Sequence, residues 1–396
     1  MGKLVRIALL VAILGVFAIG WYYSEQILGP DVPPPLDEQA LFAVTDSSMT
    51  LEPNLDARSP GVSAVEWPGG YGELGERLDA DPARITRRFR LESGTLPRVR
   101  KVSARPYAFA ADPRSALGLD YREVLVWGPL GTCPAWRIDP TDSLLALGVA
   151  RGMVDARSAV NSSSWVIYVH GRGATRAQGL SVAPLFLSMG WTVLDITYRG
   201  DQGAADDGDR GYHLGGTEWR DLEAAVRYAL TNGADRVAIF GMSMGGGITL
   251  HFLRHSPLSS RIAGAILEAP VLRWRPVFDL AARDRGVPAP ITSLGMEIAA
   301  RRARLDWIDL DELAHSAELH TPLLVLHGSQ DAKVPPALSD SLAARRPDLV
   351  TLVRVLGAGH ARARNVDPAA YDATIAGWMR RKLEPAARPQ VASAAR

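Results

Sequence analysis

The chain has 396 residues, enough for one large α/β domain and a smaller piece. Apolar residues make up 47%, so a sizeable core can form, and the formal net charge of +1 gives no reason to expect nucleic acid or a strongly charged partner. The one cysteine, Cys133, excludes an internal disulfide and lies too far from the N-terminus to carry a lipoprotein's acyl chain.

Residues 1–23 read as a membrane segment. Lys3 and Arg6 flank a stretch, 7–23, of 17 residues without a charge. As a helix it is roughly 25 Å long against a hydrocarbon core of about 30 Å, and Leu4 and Val5 with a snorkelling Arg6 close most of the gap. Trp21, Tyr22 and Tyr23 suit the far interface. Basic residues precede the span while Glu25 and Asp31 follow it, which predicts a single-pass protein of the cell membrane with its bulk outside the cytoplasm. A cleaved signal peptide, and so a secreted protein, competes through Ala18 and Gly20, but the bulky Trp-Tyr-Tyr that follows argues against cleavage. A soluble core helix is a third option, weakened by the lack of a polar face.

Residues 24–35 are expected to be a stiff linker, with Gly29-Pro-Asp-Val-Pro-Pro-Pro35 at its centre. Residues 36–118 form an accessory region, expected to be β-rich from strand-like pieces at 40–44, 86–91 and 99–102 and the turn signal Trp67-Pro-Gly-Gly70. From 119 to 383 the pattern is regular. Two antiparallel strands at 123–127 and 135–138 precede strands at 164–169, 191–196, 237–240, 262–267, 323–326 and 349–355. Helices are predicted over 181–188, over 217–230 with Thr217 as N-cap, and over 367–383. An acidic, glycine-rich loop spans 203–211, and 384–396 is expected to be a disordered tail. Alternating strands and helices imply a mainly parallel sheet covered on both faces. No internal repeat is present.

The stretch Gly241-Met-Ser-Met-Gly245 stands between the apolar run 237–240 and the helix-compatible spacing of 248–253. A serine on so sharp a strand-to-helix turn has strained backbone angles, and glycines two residues either side remove side chains that would clash. The turn lifts Ser243 Oγ above the sheet and aims amides at the start of the next helix toward a developing oxyanion. The alternative is a glycine-rich turn without chemistry. A hydroxyl is a weak nucleophile and needs a base, and His360 follows the last strand in Leu356-Gly-Ala-Gly-His360. A third group must hold that imidazole, and Asp331 stands in His327-Gly-Ser-Gln-Asp331, ahead of Val334-Pro335. Asp331 has two rivals: a mere turn role, and Glu268 as the acid instead. His170 and His327 read as structural. His251, His255, His315 and His320 lack metal-ligand spacing, and His213 reads as a solvated loop residue. The Arg172 side chain is either exposed or in contact with a carboxylate or phosphate on the substrate.

His170-Gly-Arg-Gly173, Tyr198-Arg-Gly200, Gly241-Met-Ser-Met-Gly245, Glu268-Ala-Pro270, His327-Gly-Ser-Gln-Asp331 and Gly359-His360 recur in the right order at strand ends. On these motifs, residues from about 121 to 383 resemble the α/β-hydrolase superfamily, specifically its serine esterase and serine-peptidase-like branch. The resemblance does not extend to residues 1–118. It implies an α/β-hydrolase fold over 119–383, with the chain order Ser243, Asp331, His360 matching the nucleophile, acid and base. It also implies an oxyanion hole from the backbone N–H groups of Met244 and Arg172, and no metal or organic cofactor. The insert at about 271–320 falls where the family carries a lid. It reads either as an apolar cover over an acyl pocket or as a helical excursion with a basic face. Trp274, Phe278 and Tyr198 are the candidate substrate contacts. The expected function is a membrane-anchored serine hydrolase cleaving small-molecule carboxylic esters with an apolar acyl group. A serine peptidase or thioesterase of the same fold, or a non-catalytic binding module, are the alternatives, and a complete triad argues against the last.

Overall fold

Strand patterning divides the chain into two β-structures, preceded by one long helix. The structure, a computed structural model, describes residues 2–29, 38–107, 112–154, 163–205, 208 and 211–383. The expected tail, residues 30–35 of the expected linker and part of the acidic loop lie outside the described residues.

The first β-structure is a closed antiparallel barrel in the order β1-β2-β5-β4-β3-β6, with β1 Gln39–Val44, β2 Ser48–Leu51, β3 Ser63–Trp67, β4 Gly70–Ala80, β5 Ile85–Gly94 and β6 Lys101–Arg105. Alternate residues point inward, and Met49, Leu51, Val65, Leu74, Ile85 and Val102 are fully buried. Arg87 occupies an inward position of β5 between Ile85 and Phe89. Its charge is tolerated there because the guanidinium donates to the carbonyls of Ala57 (2.9 Å), Ser59 (3.0 Å), Gly61 and Gly75.

The second is an eight-stranded sheet in the order β14-β13-β12-β11-β9-β10-β8-β7. Its strands are β7 Arg122–Gly128, β8 Gly131–Ile138, β9 Ser164–Val169, β10 Thr192–Ile196, β11 Arg236–Met242, β12 Ile262–Glu268, β13 Leu323–Gly328 and β14 Val350–Val355. β8 runs antiparallel to both β7 and β10, and the remaining pairs are parallel. Every residue of β9 and β10 is buried, as expected of strands with helices on both faces. The chain moves from β9 outward to β10 and then returns to place β11 on the other side of β9. That reversal opens a crevice above the carboxyl ends of β9 and β11.

Several predicted boundaries move. The helix expected over 217–230 is Trp219–Thr231, and its N-cap is Glu218 rather than Thr217. The Glu218 carboxylate turns back to accept the amides of Gly215 (2.9 Å) and His213, so it organises the preceding loop instead of capping with a hydroxyl. His213 is accordingly buried, not solvated. The 181–188 prediction divides into a 3-10 turn, Arg176–Ser181, and a helix, Ala183–Ser188, with Pro184 in its first turn, where a missing N–H is harmless. The insert contains two helices, Trp274–Asp284 and Ala289–Ala303.

The N-terminal helix spans Gly2–Leu28, so the first five residues of the expected linker are helical. Ile27 and Leu28 are buried in the core of the larger domain, which stabilises the extension by roughly 1.5–3 kcal/mol per side chain. Further up, Ile7, Leu10, Leu14 and Phe17 are each more than half exposed. Among the described residues no helix is long and apolar enough to cross a membrane.

Candidate active site

Ser243 sits at the end of β11 and the start of the helix Met244–His255, with φ +54° and ψ −114°. This is a strained position for a residue with a Cβ, held by its surroundings. Its N–H donates to the Glu268 carbonyl (2.9 Å), and its own carbonyl accepts from Gly246 and Val271 (both 3.0 Å). The flanking glycines are required for space: a Cβ on Gly241 would come within 2.6 Å of the Gly245 carbonyl, and one on Gly245 would run into the Val169 carbonyl.

His360 follows β14 and Asp331 follows β13. The imidazole lies between the other two side chains, with Nε2 2.9 Å from Ser243 Oγ and Nδ1 2.8 Å from Asp331 Oδ2. A carboxylate is only an acceptor, so Nδ1 carries the hydrogen and Nε2 offers its lone pair to the serine hydroxyl. Asp331 Oδ1 accepts the amides of Lys333 and Val334 (both 2.8 Å). A second histidine shares the carboxylate: His327 Nε2 is 3.2 Å from both Asp331 Oδ2 and the Val334 carbonyl, which fixes the hydrogen on Nε2 and leaves Nδ1 to accept from Ser339 (2.7 Å). Burial alone would raise the Asp331 carboxyl. The bonds from His327, His360 and Val334 outweigh it and hold the group well below the usual carboxylate range. Burial lowers the His360 imidazole below its ordinary value despite the opposing pull of Asp331.

Glu268, the rival acid, lies elsewhere. It is buried, and it accepts from the Tyr371 hydroxyl (2.6 Å) and the Ala363 amide (2.9 Å), which ties the closing helix to β12. The Met244 amide opens the helix after the serine, where the first N–H groups have no intrahelical acceptor. The loop after β9 brings Gly171 against the serine, since a Cβ there would lie 3.3 Å from Ser243 Cβ, and Arg172 lines the same cleft. The Arg172 side chain is neither free in solvent nor turned to a substrate: its guanidinium donates to the carbonyls of Gln26 and Gly29 (2.7 Å each).

Above Ser243 opens a cleft of about 710 Å³. Val271, Trp274, Val277, Phe278 and Ala281 supply an apolar wall, and Asp284, Arg285 and Lys333 stand among its polar lining. The Trp274 indole N–H is satisfied by the Leu214 carbonyl (2.9 Å), and its ring stacks on Phe278 at 5.4 Å. Tyr198 is not in the cleft. It is fully buried, its hydroxyl donates to the His170 carbonyl (3.0 Å), and its ring stacks on the His170 imidazole. Its role is to support the loop that follows β9.

Sequence reasoning missed the part the barrel plays. Arg105, Pro106 and Tyr107 line the cleft. The Tyr107 hydroxyl donates toward the Ala361 carbonyl (3.3 Å) and accepts from Gln178 (3.2 Å), whose carbonyl oxygen accepts the Gly171 amide (2.9 Å). Arg362 Nε donates to Asp56 at 2.6 Å, and Asn365 donates to the Val62 carbonyl (3.0 Å). The loops carrying His360 and Gly171 are thus both braced from the barrel side. No local pattern signals this, because the partners are separated by about 300 residues in two cases.

The sequence showed no metal spacing, but His251, His255 and Asp309 bring potential ligand atoms within 4.8 Å of one another. Arg254 already pairs with Asp309 (2.9 Å) and Glu312 (3.0 Å), so the group is knitted together as an ion-pair network behind the elbow helix.

The sequence profile of the prolyl oligopeptidase family matches residues 179–386. Over 164 residues the chain is 26% identical to acylamino-acid-releasing enzyme 2 of Oryza sativa subsp. japonica; the match takes in 37% of this chain and 20% of that protein, so it spans about a fifth of the relative's length. Among solved structures, the Pyrococcus furiosus esterase Pf2001 superposes over 73% of this chain and 99% of its own, with a TM-score of 0.53 and 18% identity. A puromycin-hydrolyzing peptidase of Mycobacterium tuberculosis covers 89% of this chain and 49% of its own, at a TM-score of 0.51 and 18% identity. At such identities the likeness is one of fold. The profile match extends over more than half of the sequence and contains the elbow serine, the acid after β13 and the histidine after β14, so the chain is an α/β-hydrolase and belongs to the prolyl oligopeptidase family of serine hydrolases.

Proposed function

We propose that the protein hydrolyses carboxylic esters with an apolar acyl group, using Ser243 as nucleophile, His360 as base and Asp331 to orient the imidazole. The observation that carries this reading is the placement of the His360 ring between Ser243 and Asp331 at the foot of a cleft with an apolar wall. Ser243 Oγ attacks the ester carbonyl while its proton passes to His360 Nε2. The Met244 and Arg172 amides stabilise the oxyanion. The C–O bond to the leaving alcohol breaks as His360 returns the proton to it, and water, activated by the same imidazole, releases the acid from the acyl-enzyme. Trp274 and Phe278 hold the acyl chain. Each buried methylene adds about 0.8 kcal/mol, so kcat/KM climbs severalfold per carbon until the pocket is full.

The N-terminal helix is proposed to anchor the enzyme to the cell membrane, with the hydrolase domain outside the cytoplasm. The outward apolar side chains of Ile7, Leu10, Leu14 and Phe17 support this.

The test is a p-nitrophenyl ester series of graded acyl length, run beside a thioester and a peptide, with fluorophosphonate labelling of wild type and Ser243→Ala. Rising rates with chain length and labelling lost in the variant are expected. Labelling that persists in Ser243→Ala overturns the nucleophile. A peptide that outruns every ester moves the enzyme to the peptidase side of its family.

A further inference from the structure

We infer that the end of the N-terminal helix is a working part of the active site: residues 20–29, gripped by Arg172 and Arg302, hold the oxyanion loop in position. The inference rests on the reading of Ser243 as nucleophile with the Arg172 amide facing the oxyanion.

The loop after β9 is rich in glycine and turns through Gly173 at φ +70°. A loop of that kind has little stiffness of its own, yet an oxyanion donor must be held in place before reaction occurs. The anchor is the Arg172 side chain. Its guanidinium donates to the carbonyls of Gln26 and Gly29 at 2.7 Å each. Carbonyls at a helix C-terminus lack intrahelical donors and carry the negative end of the helix dipole, which makes them a natural seat for a cation. With the guanidinium held by both carbonyls, the side chain tethers the Arg172 backbone to the helix end and narrows its range of positions.

The helix end is itself immobilised from two further directions. Leu28 accepts the Tyr212 amide at 2.8 Å, and Ile27 and Leu28 enter the main core. Along the insert helix Ala289–Ala303 the two helices approach closely: a Cβ on Gly20 would lie 2.6 Å from Leu294, and one on Gly295 would lie 2.9 Å from Tyr23 Cβ. Arg302 completes the joint, donating to Ser24 Oγ and Glu25 Oε1 at 2.6 Å each and covering the Trp21 ring at 4.1 Å. One segment therefore connects the oxyanion loop to the insert that walls the acyl cleft. Arg172 acts through its own backbone and is a positioning residue by its side chain.

The test compares wild type with Arg172→Ala, Arg172→Lys and Gly20→Leu on a p-nitrophenyl ester. Removing an oxyanion donor outright costs about 10²–10³ in kcat, so loosening one is expected to cost about tenfold to a hundredfold. The expected result for Arg172→Ala is that loss in kcat, KM within about twofold, and an equal loss of affinity for a trifluoromethyl ketone, whose hemiketal oxygen occupies the oxyanion position. Arg172→Lys, which keeps a cation for the same carbonyls, recovers part of both. Gly20→Leu crowds Leu294 and Ile298 of the insert helix without touching Arg172 and lowers kcat in the same direction, so it carries the test where Arg172→Ala folds poorly. Wild-type kcat and ketone affinity in Arg172→Ala or in Gly20→Leu overturn the inference. Wild type that resists fluorophosphonate at Ser243 overturns the underlying functional reading instead.

Discussion

Asp331 holds two imidazoles and two backbone amides at once, which makes it the most heavily tied side chain of the site. Asp331→Asn keeps the shape but presents a donor where His360 needs an acceptor, so kcat is expected to fall by roughly 10⁴ with the fold intact. Glu268→Gln should leave kcat within a few fold, since its partners are Tyr371 and Ala363; the reverse pattern would show that the acid is Glu268. The base must be neutral, and burial lowers the His360 pKa. The acid limb of kcat/KM is therefore expected below the ordinary imidazole value of about 6.5, with activity lost as pH falls through it. A limb above 7 with chemistry rate-limiting contradicts this. The carboxyl of Asp331 is lower in the folded than in the unfolded chain. Its contribution to stability is complete above about pH 4 and fades as the pH drops toward the folded value.

Two elements shape the site from outside the sheet. The first insert helix, Trp274–Asp284, turns Trp274 and Phe278 toward the cleft. Phe278→Ala should flatten the rise of kcat/KM with acyl length while slowing an acetyl ester little, which the p-nitrophenyl series measures directly; a uniform slowing at all lengths would assign Phe278 to support only. The barrel braces the loop that follows β14 through Asp56 and Arg362. Asp56→Ala leaves Arg362 without its carboxylate beside His360, and a loss of about 1–3 kcal/mol in stability is expected, read by thermal melting, with kcat reduced more than KM is raised. These braces were not legible in the sequence. The elbow, the acid and the histidine were, because each depends on a few neighbouring residues, whereas the barrel's contacts depend on how two distant segments meet.

At the scale of the whole molecule, the N-terminal helix divides into two halves of different exposure. Its outer half exposes Ile7, Leu10, Leu14 and Phe17, while Ser24, Ile27 and Leu28 are buried against the hydrolase domain. Expressed in its host, the protein is expected to stay with membranes through a high-salt wash and to retain its first twenty residues. A soluble protein whose chain begins at Trp21 would show that the segment is cleaved. Either product keeps residues 24–29, so the grip of Arg172 on the helix end is expected to survive in both.

The sequence alone determined the alternation of strands and helices and the order of Ser243, Asp331 and His360 along the sheet. Those features are local: strand propensity, a glycine on each side of a strained serine, and polar residues at strand ends. It also set Glu268 apart only as a rival to Asp331, since two carboxylates at neighbouring strand ends look alike until the His360 ring is placed. The tertiary structure separates the two by putting Asp331 2.8 Å from His360 Nδ1 and burying Glu268 under Tyr371. It removed Tyr198 from the cleft, closed residues 39–105 into a barrel around Arg87, and turned the Arg172 side chain onto the carbonyls of the N-terminal helix. The physical reason is the same in each case. A long polar side chain takes its partner from whatever backbone the fold brings within about 3 Å, and no spacing along the chain encodes which backbone that is.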